Sequence, residues 1–225
     1  RRYAWENAAY VSHQYQFNNK LSVDYGLRLS TFSFIGPGTV YEFDTDGNIT
    51  NERQAAKGEF IQNYINPEPR FSVNYRVDSL QSIKGGYSRT VQNLHLLSNT
   101  TSGNPTDIWV PSSNNIKPEL GDQYSAGYFR NLKKNTYEFS AETYYKWMAN
   151  QIDYRNGAEL VLNQEVEGEL VYGTGRAYGL ELLIRKKTGK FTGWIGYTLS
   201  RTERKFDEIN DGKYFAARQD RTHDL

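Results

Sequence analysis

Between Tyr178 and Leu199 the sequence runs YGLELLIRKKTGKFTGWIGYTL. Tyr178, Leu180, Leu182 and Ile184 alternate with Gly179, Glu181, Leu183 and Arg185. After the polar stretch Lys186-Lys187-Thr188-Gly189-Lys190, Gly193, Ile195, Tyr197 and Leu199 alternate with Trp194, Gly196, Thr198 and Ser200. In an extended chain successive side chains point to opposite faces, so a period of two predicts a β-hairpin with one apolar face and one mostly polar face. A single such hairpin suits a soluble β-sandwich equally well. The constraint comes from its recurrence.

From Ala4 to Phe17 one phase carries Ala9, Val11, His13, Tyr15 and Phe17, and Asn18-Asn19 supplies a tight turn. Leu21, Val23, Tyr25, Leu27 and Leu29 then alternate with Ser22, Asp24, Gly26, Arg28 and Ser30. Phe71, Val73, Tyr75 and Val77 turn at Asp78-Ser79 into Ile83, Gly85 and Tyr87. Tyr124, Ala126 and Tyr128 turn at Asn131 to Asn135 into Tyr137, Phe139, Ala141, Thr143 and Tyr145. About eight strands of roughly 10 to 14 residues are expected, long enough to cross a membrane at a tilt. Between them Phe34 to Glu68, Leu94 to Leu120 and Asn150 to about Gly173 hold turn chemistry without a sustained period, and Arg201 to Leu225 also reads as loop.

Tight turns therefore alternate with long loops. That is the asymmetry of a bacterial outer-membrane β-barrel, with short periplasmic turns at one end and long extracellular loops at the other. Long loops without helix are uncommon in compact soluble domains. The mean hydropathy of −0.77 does not oppose this reading, because a wall with lipid on one face and water on the other averages to a polar composition. No apolar run is long enough for a transmembrane helix. Aromatic residues make up 15% of the chain, which suits strands and membrane–water boundaries. A net charge of +1 without a basic cluster argues against nucleic acid as a partner. The absence of cysteine removes disulfide frameworks and thiolate metal sites.

Four segments carry a family likeness. Asn115-Ile116-Lys117-Pro118-Glu119-Leu120 followed by Asp122-Gln123-Tyr124-Ser125-Ala126-Gly127-Tyr128 resembles a signature of the barrels of TonB-dependent outer-membrane receptors. Pro69-Arg70-Phe71-Ser72-Val73-Asn74-Tyr75 with Gly86-Tyr87-Ser88-Arg89-Thr90 resembles a hairpin of the same family. Arg176-Ala177-Tyr178-Gly179-Leu180-Glu181 resembles one of its strands, and Gln219 to Leu225 the entry to a later one. The style is most similar to Bacteroidetes-type receptors. The resemblance implies an all-β fold, an antiparallel transmembrane β-barrel of about twenty-two strands plugged by an N-terminal domain. Residues 1–225 are then expected to be a partial barrel, cut from a longer chain, with the plug domain and terminal strands lying elsewhere.

The implied function is active uptake of a scarce large nutrient: a ferric siderophore, a cobalamin-like molecule or an oligosaccharide. The implied partners are outer-membrane lipid, the protein's own plug domain, the TonB energy-transducing complex, a surface lipoprotein and a small-molecule or glycan substrate; the parent is placed in the outer membrane. A passive outer-membrane channel and a soluble β-rich carbohydrate-binding module or glycosidase stay open as alternatives. No cofactor and no enzymatic activity are expected.

The polar phase carries charges of both signs, Asp24, Arg28, Arg76, Lys84, Glu138, Glu142, Lys146, Glu181 and Arg185, a mixture suited to contacting a polar plug in the lumen. The loop aromatics Tyr41, Phe43, Tyr64 and Trp109 are the candidates for stacking on a ligand ring. His13, His95 and His223 lack metal-ligand spacing. Asp44-Thr45-Asp46-Gly47-Asn48 departs from a calcium loop, since its glycine precedes the third candidate ligand, and is expected to form a plain Asp-Gly hairpin turn. Glu165, Glu167 and Glu169, read as strand, would line one face of a lumen wall or loop rim.

Overall fold

A computed structural model describes residues 2–97, 107–158 and 165–225. Its strands are β1 (Tyr3–Gln16), β2 (Leu21–Ile35), β3 (Gly38–Phe43), β4 (Ile49–Ala55), β5 (Phe60–Arg76), β6 (Gln81–Gln92) and β7 (Leu94–Leu97). They continue with β8 (Ile108–Pro111), β9 (Glu119–Leu132), β10 (Tyr137–Tyr154), β11 (Leu170–Lys186), β12 (Gly193–Phe206), β13 (Phe215–Ala216) and β14 (His223–Asp224). One antiparallel sheet runs β1-β2-β5-β6-β9-β10-β11-β12-β13, with β14 also on β12; β3-β4 and β7-β8 are separate hairpins within the loops. Among the described residues the sheet does not close on itself, and there β1 pairs only with β2. No helix among the described residues is long and apolar enough to cross a membrane.

The eight expected strands are the long members of this sheet, joined by tight turns at the expected places. In the first turn Asn18 Oδ1 accepts the backbone N–H groups of Lys20 and Leu21 at 2.8 and 2.9 Å. In the second, Asp78 Oδ1 accepts from Leu80 at 2.7 Å. Lys133, Lys134 and Asn135 all have positive φ in the third, a departure from glycine chemistry that the sequence alone does not announce.

The long strands extend beyond their expected ends. β5 begins at Phe60, inside the expected Phe34–Glu68 loop, and β10 runs to Tyr154. β12 continues to Phe206, so Arg201 to Phe206 is strand where loop was expected. The reason is physical: beyond the membrane-crossing part neither face needs to be uniformly apolar, so the ladder continues after the alternation stops. Glu165, Glu167 and Glu169 are corrected as well, since Val166–Glu169 is a 3-10 turn and Glu167 is buried in it. Residues 98–106 and 159–164, within two of the expected loops, lie outside the described residues.

Paired residues of neighbouring strands share a face, so the register tests the phase directly. His13, Tyr25, Phe71, Tyr87, Tyr124, Tyr145 and Tyr178 occupy one row across seven adjacent strands. Ring centroids lie 5.5 Å apart for His13–Tyr25, 5.0 Å for Tyr87–Tyr124 and 6.2 Å for Tyr145–Tyr178. On β2 this row falls mid-band, with Leu27 and Leu29 still beyond it; on β12 it reaches Arg201, at the edge of the apolar stretch. The apolar band is thus oblique to the hydrogen-bond rows, as strands tilted against a barrel axis require. The next row toward the long loops carries ion pairs on the same face, Arg89 with Asp122 and Arg176 with Glu203.

Among the described residues the wall has no interior of its own. Tyr25, Leu27, Ile184 and Ile195 remain 46 to 69% exposed. The core lies instead among the long loops, where Leu97, Val110, Ile116, Ile152, Tyr154, Val166 and Leu170 pack together.

Candidate functional site

Two places bring chemistry-bearing residues together. The first is the polar face of the wall. The register puts all nine charges expected in the lumen on this one face. Several are paired: Ser72 donates to Asp24 at 3.3 Å, Lys187 Nζ lies 3.0 Å from Glu138, and Lys84 sits 4.6 Å above the Phe129 ring. Arg28 reaches the buried Glu68 at 3.5 Å, and Glu68 also accepts from Ser30 at 2.9 Å. Glu142 and Glu181 are different. They stand directly opposite each other on β10 and β11, and neither holds a cation among the described residues. Like charges so placed repel. Asp24, Arg28, Arg70 and Gln123 line a broad concavity of about 830 Å³ on this face.

The second place is the loop cap. Its centre is Ser113-Asn114-Asn115-Ile116, directly before β9, with the Ile116 side chain fully buried. Ser113 Oγ accepts the N–H groups of Asn115 and Ile116, each at 3.2 Å, and donates to Glu167 Oε2 at 3.1 Å. Asn115 Nδ2 donates to the same Glu167 oxygen at 2.6 Å, and Arg2 pairs with the other. Asn114 and Asn115 both donate to the Tyr41 carbonyl, at 2.8 and 3.0 Å. The Tyr64 hydroxyl donates to the Ser113 carbonyl at 2.7 Å. Arg155 donates to the Asp46 carbonyl, and a Cβ at Gly47 would clash with the Gly168 carbonyl oxygen. Three loops separated in sequence are therefore fastened into one body.

The β3–β4 hairpin turns at Asp44 to Asn48 as the sequence leads one to expect. Asp44 Oδ1 accepts from the Asp46 and Asn48 N–H groups at 2.9 and 2.8 Å, and Gly47 takes the left-handed conformation. No metal-holding cluster exists among the described residues. His95 is buried with Nε2 3.0 Å from Ser112 Oγ, and His223 Nδ1 lies 2.8 Å from the Tyr197 hydroxyl.

A cavity of about 270 Å³ opens beside β3, lined by Tyr41 and Phe43 with Asn114 and Glu167. Of the four aromatic candidates, Tyr41 and Phe43 thus come together at a cavity. Tyr64 is held by Ser113 outside its lining, and Trp109 stands 60% exposed on β8, paired with Leu96. Asn114, Glu167 and Arg2 were not singled out as ligand residues. The one sequence signal was the Asn115 to Leu120 segment, whose packing role sets this cap.

Tilted antiparallel strands, an exposed apolar face and long loops gathered at one end define a segment of an outer-membrane β-barrel. Residues 1–223 match the family model for the TonB dependent receptor-like β-barrel, and the chain belongs to that family, placed in the bacterial outer membrane. Among solved structures it is similar to the FrpB iron transporter of Neisseria meningitidis (F3-3 variant), with 13% identity and a TM-score of 0.61 over 92% of this chain and 27% of that one. It is also similar to the ferric-catecholate import receptor Fiu of K12 E. coli in its closed form, with 17% identity and a TM-score of 0.59 over 98% and 31%. The copper transporter OprC matches with 14% identity and a TM-score of 0.54 over 94% and 30%. At these identities the likeness is one of fold. The chain spans roughly a quarter to a third of the proteins it resembles, and no curated protein matches its sequence.

Proposed function

We propose that residues 1–225 form part of the wall of an active transport barrel, whose parent takes up a scarce large nutrient such as a ferric siderophore, a cobalamin-like molecule or an oligosaccharide. The apolar face lies against lipid, the polar face lines the lumen, and the cap faces outward. The carrying observation is the Glu142–Glu181 pair on a wall of mixed charge. In an open water-filled pore this repulsion would be weakened by water and salt but not reversed; against a plug, a guanidinium or ammonium group placed between the two carboxylates converts it into attraction. The parent's plug domain is the partner that supplies such a group, and coupling to TonB runs through the plug. Tyr41 and Phe43 are the cap residues that meet substrate.

Planar-bilayer conductance of the intact receptor tests this reading. The wild-type protein is expected to stay closed. Glu142→Arg combined with Glu181→Arg is expected to loosen the plug and produce ion conductance. A wild-type receptor that conducts steadily without an energy source would instead establish the passive channel.

A further inference from the structure

At the end of the wall opposite the cap, the β9–β10 and β11–β12 turns lie side by side, joined by the Lys187 N–H, which donates to the Thr136 carbonyl at 2.8 Å. Together they carry Lys133, Lys134, Lys186, Lys187 and Lys190. The two faces divide these cations. Lys187 reaches the lumen side, where it pairs with Glu138 at 3.0 Å. Lys186 lies opposite Tyr137 in the ladder, and Tyr137 opposite Leu132, so all three stand on the apolar face, one row out from Ile184 and Ile195. Lys186 Nζ is 6.0 Å from the centre of the Tyr137 ring and Lys133 Nζ 5.8 Å, so ammonium groups from two different turns meet at one phenol. Neither is paired with a carboxylate among the described residues. On the neighbouring β5–β6 turn, Asp78 shares a hollow with Arg130 and already accepts from the Leu80 N–H and the Gln81 side chain. The cap end of the same face differs: there Arg89 and Arg176 are each held by a carboxylate, Asp122 and Glu203.

We propose that Lys133, Lys186 and Tyr137 bind the headgroup phosphate of one anionic phospholipid in the leaflet that meets this end of the wall, an inference that rests on the apolar face lying against lipid. Charge is the first argument. Two like charges at one ring repel, and an anion between them turns the repulsion into attraction. At the cap end each arginine has its own carboxylate and needs no such ligand. Donor chemistry is the second. At about 6 Å an ammonium group is at the outer limit of cation–π attraction, which leaves its N–H groups to a phosphate oxygen, and the phenol O–H is a further donor. Position is the third. A lipid phosphate sits between hydrocarbon and water, the level at which aromatic girdles stand and long cationic side chains carry their charge to the interface. Leu132, Ile184 and Ile195, exposed on the same face, give the acyl chains an apolar wall. A free inorganic phosphate would gain nothing from that wall.

Gly193 provides a second way to disturb the site. It stands opposite Lys186 on β12, and a Cβ built there meets nothing within 4 Å. Gly193→Glu therefore sets a carboxylate beside Lys186 without removing either lysine. The intact receptor is placed in nanodiscs of phosphatidylethanolamine with a minor fraction of phosphatidylglycerol, one lipid or the other carrying a photoreactive acyl chain, and crosslinks are mapped to peptides by mass spectrometry. Heat-modifiable gel mobility confirms that each variant is folded. Peptides spanning 130–139 and 184–195 are expected to favour phosphatidylglycerol about tenfold or more after correction for the lipid ratio. Lys133→Gln combined with Lys186→Gln, and Gly193→Glu alone, are each expected to remove that preference, whereas Lys187→Gln, on the lumen side of the same turn, keeps it. Equal labelling by the two lipids, a preference that survives the paired lysine change, or one that Lys187→Gln removes as fully overturns the proposal and leaves the wall reading standing. Displacement of phosphatidylglycerol by excess inorganic phosphate at constant ionic strength would mark a free-anion site and overturn it too. Labelling of these peptides by neither lipid overturns it by another route, since the apolar face would then not meet lipid and the wall reading would fail with it.

Discussion

Ile184 and Ile116 are the same side chain in two regions that treat it oppositely. On β11, Ile184 is 56% exposed, one of many apolar groups on a face that nothing among the described residues covers; in the cap, Ile116 is 0% exposed. The wall is held by its backbone ladder and by an apolar solvent, because in lipid every unsatisfied backbone group costs several kcal/mol. The cap is held as a soluble domain is, by a packed core with hydrogen bonds from Ser113, Asn115 and Glu167 around it. One chain thus carries two stability regimes, divided near the row of Arg89–Asp122 and Arg176–Glu203 ion pairs.

The sharpest test of that division is Ile116→Ala. A large-to-small change at a fully buried position costs about 2–5 kcal/mol, and the loss is expected to stay in the cap. Limited proteolysis of the intact receptor is expected to cut the loops while gel mobility still reports a folded barrel. If the barrel loses its heat-modifiable form along with the loops, the two regions are one cooperative unit and the comparison fails.

Leu182→Arg makes the converse test. Leu182 shares a face with Leu180 and Ile184 and pairs across the ladder with Tyr197. Arginine at the middle of the apolar band is expected to cost about 2–4 kcal/mol in a bilayer and to leave loop proteolysis unchanged. Thermal or denaturant unfolding in liposomes measures the cost. An equal stability of variant and wild type in liposomes would mean that this face does not meet lipid.

The same contrast explains what could be read from the sequence. The wall obeys a single local rule, so the strands, the turns and the common face of Asp24, Lys84, Glu142 and Glu181 were legible from alternation alone. Strand ends such as Phe60 to Glu68 were hidden, because above the lipid band the pleat no longer has to separate apolar from polar. The cap has no such rule. Asn115 and Glu167 are 52 positions apart and meet only after the loops have folded. Tyr41 and Phe43 could be noticed as loop aromatics, but that they reach a cavity and Trp109 does not depends on the β3–β4 hairpin docking beneath Asn114 and Asn115.

The smallest effect expected is one of pH, confined to the rim of the cap. Hydrogen bonds from the Asn48 side chain and then its backbone N–H hold the Asp44 carboxyl below the usual Asp value. At the base of the same hairpin, the Ala56 N–H, 2.8 Å away, and the Arg53 guanidinium do the same for Glu59. Because each folded value is depressed, the ionised carboxylate stabilises the fold; that contribution is complete above the unfolded value, about 4 for both residue types, and is lost as pH falls through the lower folded value. Both groups are solvent-exposed, so the change is local. Amide-exchange protection at Asp46 and Asn48, corrected for intrinsic rates, is expected to be flat from pH 7 to 5 and to fall below about 4. Asp44→Ala should remove that step while the exchange of Ile116 stays protected. Protection that already declines between pH 7 and 5 would assign control of the hairpin to a group of higher pKa, and these carboxylates would no longer account for how the rim is held.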